Sequence, residues 1–332
     1  MSRATTLHLP AREIPVPRSV SPTAQAFLAS AARPIPPQPA PSDKAAWRDY
    51  IRESDQTILT MAAEIAKSAA RQEMAAQIRS EPFSLGGVPG YRIDPHPNVP
   101  ADRILYLIHG GALVMGAGEV CRLMATGTAL AIGARTYAVD YRMPPDHPYP
   151  TPLEDCLAGY QFLLQHHDPA QIVVHGGSAG GNLAAAMVLR LRAAGAPMPA
   201  GIILSTPELD LTESGDSFAV NAGADIVLPP SLMNANLLYA NGHDLADPYL
   251  SPLFADLSQG FPPTLLTAGT RDLFLSNAVR MHNALRRSGN HAELIIEEAM
   301  PHGGFFGMAP EDHALNADIR DFAERAWSGR LR

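Results

Sequence analysis

The sequence predicts an α/β fold, a mostly parallel eight-stranded sheet flanked by helices, with a helical cap. From residue 81 onward, short apolar runs alternate with longer helical stretches, as a parallel sheet covered on both faces requires. One of these runs, Val173-Val174-His175, passes through Gly176-Gly177-Ser178-Ala179-Gly180 directly into an alanine-rich helix containing Ala184, Ala185, Ala186 and Met187. Two stretches break the alternation, one before the first strand and one at 207–250, and both read as parts of a cap.

Taken in order, residues 1–41 are a Pro-rich segment. Pro10, Pro15, Pro17, Pro22, Pro34, Pro36, Pro37, Pro39 and Pro41 leave no room for a helix of any length and favour extended geometry, so removing the segment is expected to leave the sheet intact. Ser42-Asp43 offers an N-cap, and a helical pattern with a partial stripe of Ile51, Ile58, Leu59, Met61, Ile65 and Ile78 runs from Ala45 to about Arg79. Residues 42–80 are therefore expected to form the first part of the cap. Strands are expected at 83–85, 91–94, 104–108, 136–139, 172–175, 202–205, 265–268 and 292–296, with helices at about 119–132, 152–166, 179–194, 272–288 and 311–328. Residues 207–250, with loops and one helix around 231–239, read as the second cap part; 81–206 and 251–332 make the α/β domain.

Composition narrows the function. The 332 residues suffice for one large α/β domain plus an accessory element. A formal charge of −8 and the lack of any basic run argue against nucleic acid or an anionic membrane surface as partner. No stretch approaches the roughly 18 apolar residues of a membrane span. Nothing after Arg3 resembles a secretory signal, so a cytoplasmic protein is expected. Cys121 and Cys156 are too few for a disulfide framework, and their apolar helical surroundings read as sites of buried free thiols.

The strand–turn–helix around Ser178 carries the chemistry. A strand that reverses into a helix within a few residues strains its central residue, and only nearly side-chain-free neighbours permit the turn. Ser178 then stands at a helix N-terminus, where backbone N–H groups favour negative charge. This is the nucleophile elbow of the α/β-hydrolase fold, in which an acid and a histidine follow the serine in chain order. His302, on the glycine-rich loop Pro301-His302-Gly303-Gly304 after the last strand, is the expected base; His291, His282 and His313 lie on a strand or on solvated helices. Asp272 follows the preceding strand and is the expected acid, also able to cap the next helix; Glu297, Glu298 and Asp247 compete less well from other segments. The oxyanion formed on attack needs backbone donors, expected from Ala179 and from the loop His109-Gly110-Gly111-Ala112, with His109 as a structural support for that loop. His166-His167 lacks the spacing of a metal site, and no metal or cofactor is expected.

With these motifs in place, residues 100 to about 325 resemble the hormone-sensitive-lipase-like group of α/β-hydrolases, the bacterial family IV carboxylesterases. The resemblance rests on His109-Gly110-Gly111-Ala112, Val139-Asp140-Tyr141-Arg142, Gly176-Gly177-Ser178-Ala179-Gly180, Tyr249-Leu250-Ser251-Pro252-Leu253, Phe261-Pro262-Pro263-Thr264, and the Asp272 and His302 loops. It implies Ser178, Asp272 and His302 as nucleophile, acid and base, and an oxyanion hole at Gly111, Ala112 and Ala179 with Gly110 adjacent. The chain departs from the family at Ala112, where a third glycine is usual, at Gly177, where Asp or Thr marks the two large subgroups, and at Leu273-Phe274 after the acid. The implied activity is a serine carboxylesterase acting on short- to medium-chain esters through an acyl-enzyme. The alternatives are a lactone hydrolase of the monoterpene-lactone type, or a ligand-binding relative that has lost catalysis. The partner is then a small-molecule ester, and the family allows a homodimer. Leu211, Phe218, Ile226, Leu232 and Leu238 are the pocket candidates within 207–250.

Overall fold

Eight apolar runs pair into one sheet in the computed structural model, which describes residues 11, 13–30, 35–67 and 77–331. The strands are β1 (Arg79–Leu85), β2 (Val88–Asp94), β3 (Ile104–Ile108), β4 (Arg135–Val139), β5 (Ile172–Gly177), β6 (Gly201–Ser205), β7 (Thr264–Gly269) and β8 (Ala292–Glu297). Their order across the sheet is β1-β2-β4-β3-β5-β6-β7-β8. Only β2 runs against its neighbours; every other adjacent pair is parallel. The order reverses at β3, whose parallel neighbours are β4 on one side and β5 on the other. Open α/β sheets bind ligands beyond the carboxyl ends of strands at such a reversal. The ends of β3 and β5, paired as Ile108 with Gly176, therefore mark the place to look for a site.

The central strands are buried on both faces, so alternate residues enter different cores. Leu105, Val173, Ile203 and Leu265 pack under α9 (Pro310–Trp327) through Ile319, Phe322 and Ala323. Leu107 packs under α3 (Glu119–Ile132) through Cys121, Ala125 and Ala129. On the other face Tyr106, Ile108, Val174 and Leu204 meet α4 (Thr151–Leu164) and α5 (Ala179–Ala193). Both cysteines are buried and free. No helix among the described residues is long and apolar enough to cross a membrane.

The structure corrects two readings near the amino terminus. The prolines do not exclude a helix from 1–41: α1 spans Pro22–Ala29. Pro22 occupies its first turn, where a missing N–H costs nothing, and the Ser21 hydroxyl caps it by accepting from the Ala24 N–H. Val20, Ala24 and Leu28 are buried against Met300, Phe305 and Ala309, so the segment docks on the domain. Pro10 and Pro34 lie outside the described residues. The second helix, α2 (Lys44–Ala66), is capped by Asp43 as expected but does not reach Arg79. Arg79 opens β1 and pairs with Asp94, because a seven-residue antiparallel ladder holds 79–85 in the sheet; Ile78 is not helical, and residues 68–76 lie outside the described residues.

Residues 207–250 hold α6 (Ser217–Val220) and α7 (Met233–Ala240). After β7 the next helix, α8 (Leu275–Arg287), starts three residues beyond the expected Asp272. The Asp272 carboxylate accepts from the Phe274 N–H at 2.9 Å, which holds 272–274 as a turn ahead of the helix.

Candidate active site

Ser178 sits between β5 and α5 with φ +55° and ψ −123°, a conformation an L-residue adopts only when its surroundings impose it. Its N–H donates to Ser205 O at 2.9 Å, and its own carbonyl accepts from Gly181 at 2.9 Å and Glu208 at 3.2 Å, so the turn is pinned on three sides. Gly180 is demanded by close approach: a Cβ there would lie 2.1 Å from Ile108 O. Gly177 is not, since its nearest neighbour would be 4.0 Å away, which explains how this position can carry Asp or Thr elsewhere.

His302 reaches Ser178 from the loop after β8. Its Nε2 is 2.9 Å from Ser178 Oγ, and its Nδ1 is 3.1 Å from Asp272 Oδ1. All three side chains come together although 124 residues separate serine from histidine. Asp272 is fully buried, and the edge of Phe274 covers the imidazole with ring centres 4.8 Å apart. The histidine loop is itself braced: the Asp312 carboxylate accepts from Phe305 N at 2.9 Å and Ala309 N at 3.1 Å. Burial opposes charging of His302, but the charge of Asp272 and its hydrogen bond, with Asp225 and Glu208 nearby, outweigh burial and raise its pKa above the ordinary value.

The loop after β3 faces the serine. A Cβ on Gly110 would stand 3.1 Å from Ser178 Cβ, so this backbone passes directly over the hydroxyl-bearing carbon. Gly111 has φ +130°, and Ala112 adopts φ +50°, so the alanine follows the backbone path despite its Cβ. Among the described residues, neither Gly111 N–H nor Ala112 N–H donates to another group. Ala179 opens α5, where first-turn N–H groups lack intrahelical acceptors. His109 supports the loop from behind. Its Nδ1–H donates to Gly110 O at 2.7 Å, its ring stacks on Tyr141 at 4.2 Å, and its carbonyl accepts from Tyr141 OH at 2.9 Å. Burial lowers its pKa to about 4, so it is neutral. Tyr141 is anchored in turn, since Arg142 makes a two-pronged pair with the buried Asp155 at 2.7 and 2.9 Å.

The competing acids stand elsewhere: Asp247 caps the Tyr249 N–H at 2.8 Å, and Glu297 ends β8. The structure adds two acids that no motif spacing marked. Asp225 accepts from Leu273 N at 2.9 Å beside Asp272. Glu208 is fully buried, neither oxygen has a hydrogen-bond partner among the described residues, and burial pushes it up to about 8. Glu208 could have been suspected from its place one residue after Pro207 at the end of an apolar strand; Asp225 lies in irregular chain and carried no signal.

A buried histidine joining a strained serine to a carboxylate, with free N–H groups opposite, can activate an oxygen nucleophile and steady an oxyanion. That class of site on this sheet agrees with the comparisons. Residues 105–306 match the family model described as the alpha/beta hydrolase fold. The chain belongs to this family, within its hormone-sensitive-lipase-like group. It is similar to an esterase of Acinetobacter venetianus, at 34% identity over 76% of this chain and 83% of that protein. The crystal structure of an esterase superposes with a TM-score of 0.87 at 33% identity, covering 96% of this chain and 98% of the other. A second, of an esterase from the bacterial hormone-sensitive lipase family, gives 0.78 at 30% identity, covering 92% and 99%.

Proposed function

We propose that this chain, a carboxylic ester hydrolase, cleaves short- to medium-chain esters through an acyl-enzyme formed on Ser178. His302 Nε2 takes the hydroxyl proton as Oγ attacks the carbonyl, and Asp272 holds the imidazole in the tautomer with hydrogen on Nδ1 and stabilises the imidazolium. The N–H groups of Gly111, Ala112 and Ala179, with Gly110 adjacent, receive the developing oxyanion. The imidazolium returns its proton to the leaving alcohol, and a water repeats the sequence to release the acid. The observation that carries this reading is the position of His302, within hydrogen-bonding distance of both Ser178 and Asp272.

The substrate class rests on what borders Ala112. One apolar cluster sets it against Trp47, Val114 and Leu238, joining α2 and α7. Another sets it against Phe218, Leu232 and Phe274. Of the other pocket candidates, Leu211 belongs to the main core and Ile226 to the cluster under α1. On this reading α2 and residues 207–250 serve as the two cap parts, setting apolar walls beside the oxyanion loop. The test is a burst experiment with p-nitrophenyl esters of increasing acyl length, together with fluorophosphonate labelling. A stoichiometric burst, labelling confined to Ser178, and a preference for short and medium chains are expected. Labelling elsewhere, or preference for long chains, contradicts the reading.

A further inference from the structure

Behind the oxyanion loop, three potential ligands converge from separate rigid elements. One ring nitrogen of His109, the sulfur of Cys121 and a carboxylate oxygen of Asp140 lie within 4.8 Å of one another. His109 follows β3, Cys121 lies in the first turn of α3, and Asp140 follows β4, so the site is built at the ends of two paired strands and the helix between them.

The environment is that of a cation site. His109 is 2% exposed, and its Nε2 is buried without a partner. Because Nδ1–H donates to Gly110 O, Nε2 must carry the lone pair, and a backbone carbonyl holding the other nitrogen is the usual support behind a metal-ligating histidine. Asp140 accepts twice from Gly118 N, at 3.0 and 3.1 Å, yet among the described residues no cationic side chain pairs with it. Asp55 on α2 stands near enough to feel that charge, and among the described residues it too lacks a cationic partner; its carboxylate accepts from Gly116 N at 3.1 Å. An open surface cavity of about 320 Å³, lined by Phe83, Gly90, Tyr91 and Asp140, reaches the Asp140 side of the cluster.

We propose that His109, Cys121 and Asp140 form a binding site for a divalent transition ion of the Zn²⁺ class, and that its occupancy inhibits the enzyme. Imidazole, thiolate and carboxylate suit Zn²⁺ and its congeners, and exclude hard ions such as Ca²⁺. Binding releases the Cys121 proton to solvent, and thiolate plus carboxylate then neutralise the two positive charges. Bond lengths of ~2.0–2.3 Å bring tetrahedral ligand atoms to roughly 3.5 Å from one another. Coordination imposes these separations on atoms that now span up to 4.8 Å, and so pulls on His109 and the adjoining Gly110-Gly111 backbone. A displacement of about 1 Å in positioning groups can cost about 10²-fold in rate. The inhibitory half rests on the oxyanion role proposed above, whereas the binding half does not.

The test titrates chelator-treated protein with Co²⁺ and displaces it with Zn²⁺. One equivalent of Co²⁺ is expected, with a thiolate charge-transfer band that disappears in Cys121→Ser while circular dichroism is unchanged. No such band in the wild type, or its persistence in Cys121→Ser, overturns the site. In the same samples Zn²⁺ should lower hydrolysis by about 10²-fold in the wild type and not in Cys121→Ser. Ion binding with undiminished hydrolysis overturns the inhibition, and because binding is read spectroscopically, a different nucleophile would leave that result standing.

Discussion

Phe27 meets Phe305 edge-on, with ring centres 5.6 Å apart and planes at 83°, and it meets Phe306 in the same way at 5.5 Å. Phe305 and Phe306 belong to the loop that presents His302, so a helix near the amino terminus braces the proposed base. The Glu311 carboxylate adds a second tie by accepting from the Ser21 N–H and hydroxyl at 2.6 and 2.8 Å. Each aromatic pair is worth ~0.5–1.5 kcal/mol beyond its buried area. Phe27→Ala should lower the melting temperature by several degrees and reduce kcat more than it changes KM. Deletion of 1–41 should do both more strongly. Unchanged melting and turnover in the deletion would show that the contact is incidental.

Ser178→Ala should reduce ester hydrolysis by at least about 10³-fold. Among the described residues the Ser178 hydroxyl bonds only to His302, so the melting temperature should barely move. Turnover within tenfold of the wild type would point to another nucleophile.

Asp272→Asn should slow acylation severely, because an amide cannot hold the required tautomer with the same charge. His302→Ala on top of it should add little, since groups acting as one unit are non-additive. Pre-steady-state acylation rates of the single and double variants make the comparison. Independent, multiplicative losses would show that Asp272 and His302 do not work together.

The pH profile has a defined sign. His302 must be neutral to accept a proton, and its pKa lies above the ordinary value of about 6.5. Activity should therefore rise with pH along a limb centred above about 6.5. Negative charge on Asp225 raises the His302 pKa, so Asp225→Asn should move the limb to lower pH. Glu208 stays protonated in the fold up to about 8, whereas the unfolded chain ionises it near the ordinary 4.5. Wild-type stability should fall with pH between those values relative to Glu208→Gln. Parallel stability curves would contradict the burial of an unpaired carboxyl.

Gly180→Ala should misfold the elbow rather than merely slow the enzyme, because the new methyl would be driven into Ile108 O. Gly177→Thr should fold normally. Denaturant melts of the two variants check this, and equal stabilities would refute the packing argument.

Much of this was legible in the sequence. β3 (Ile104–Ile108) and α3 (Glu119–Ile132) fall where expected, because each is a strong local pattern ending in glycine or a polar turn. The meeting of Ser178, Asp272 and His302 was legible because the fold fixes which strand ends lie side by side. α1 was hidden, since a count of prolines ignores that Pro22 starts a helix and that residues 23–29 contain none. Arg79 was misassigned because the pairing that claims it lies in β2, beyond the reach of local pattern. Glu208, Asp225 and the approach of Cys121 to Asp140 are tertiary facts, and no spacing encodes them.

The sheet order sets when the chain can first act. Ser178 is fixed by β5 and its neighbours β3 and β6, all complete by residue 205, but Asp272 and His302 arrive only with β7 and the loop after β8. On the proposed mechanism, a nascent or refolding chain can thus hold a finished elbow and remain inert. On that mechanism, recovery of hydrolysis should report closure of the sheet's far edge, and loosening of β8 should silence the enzyme.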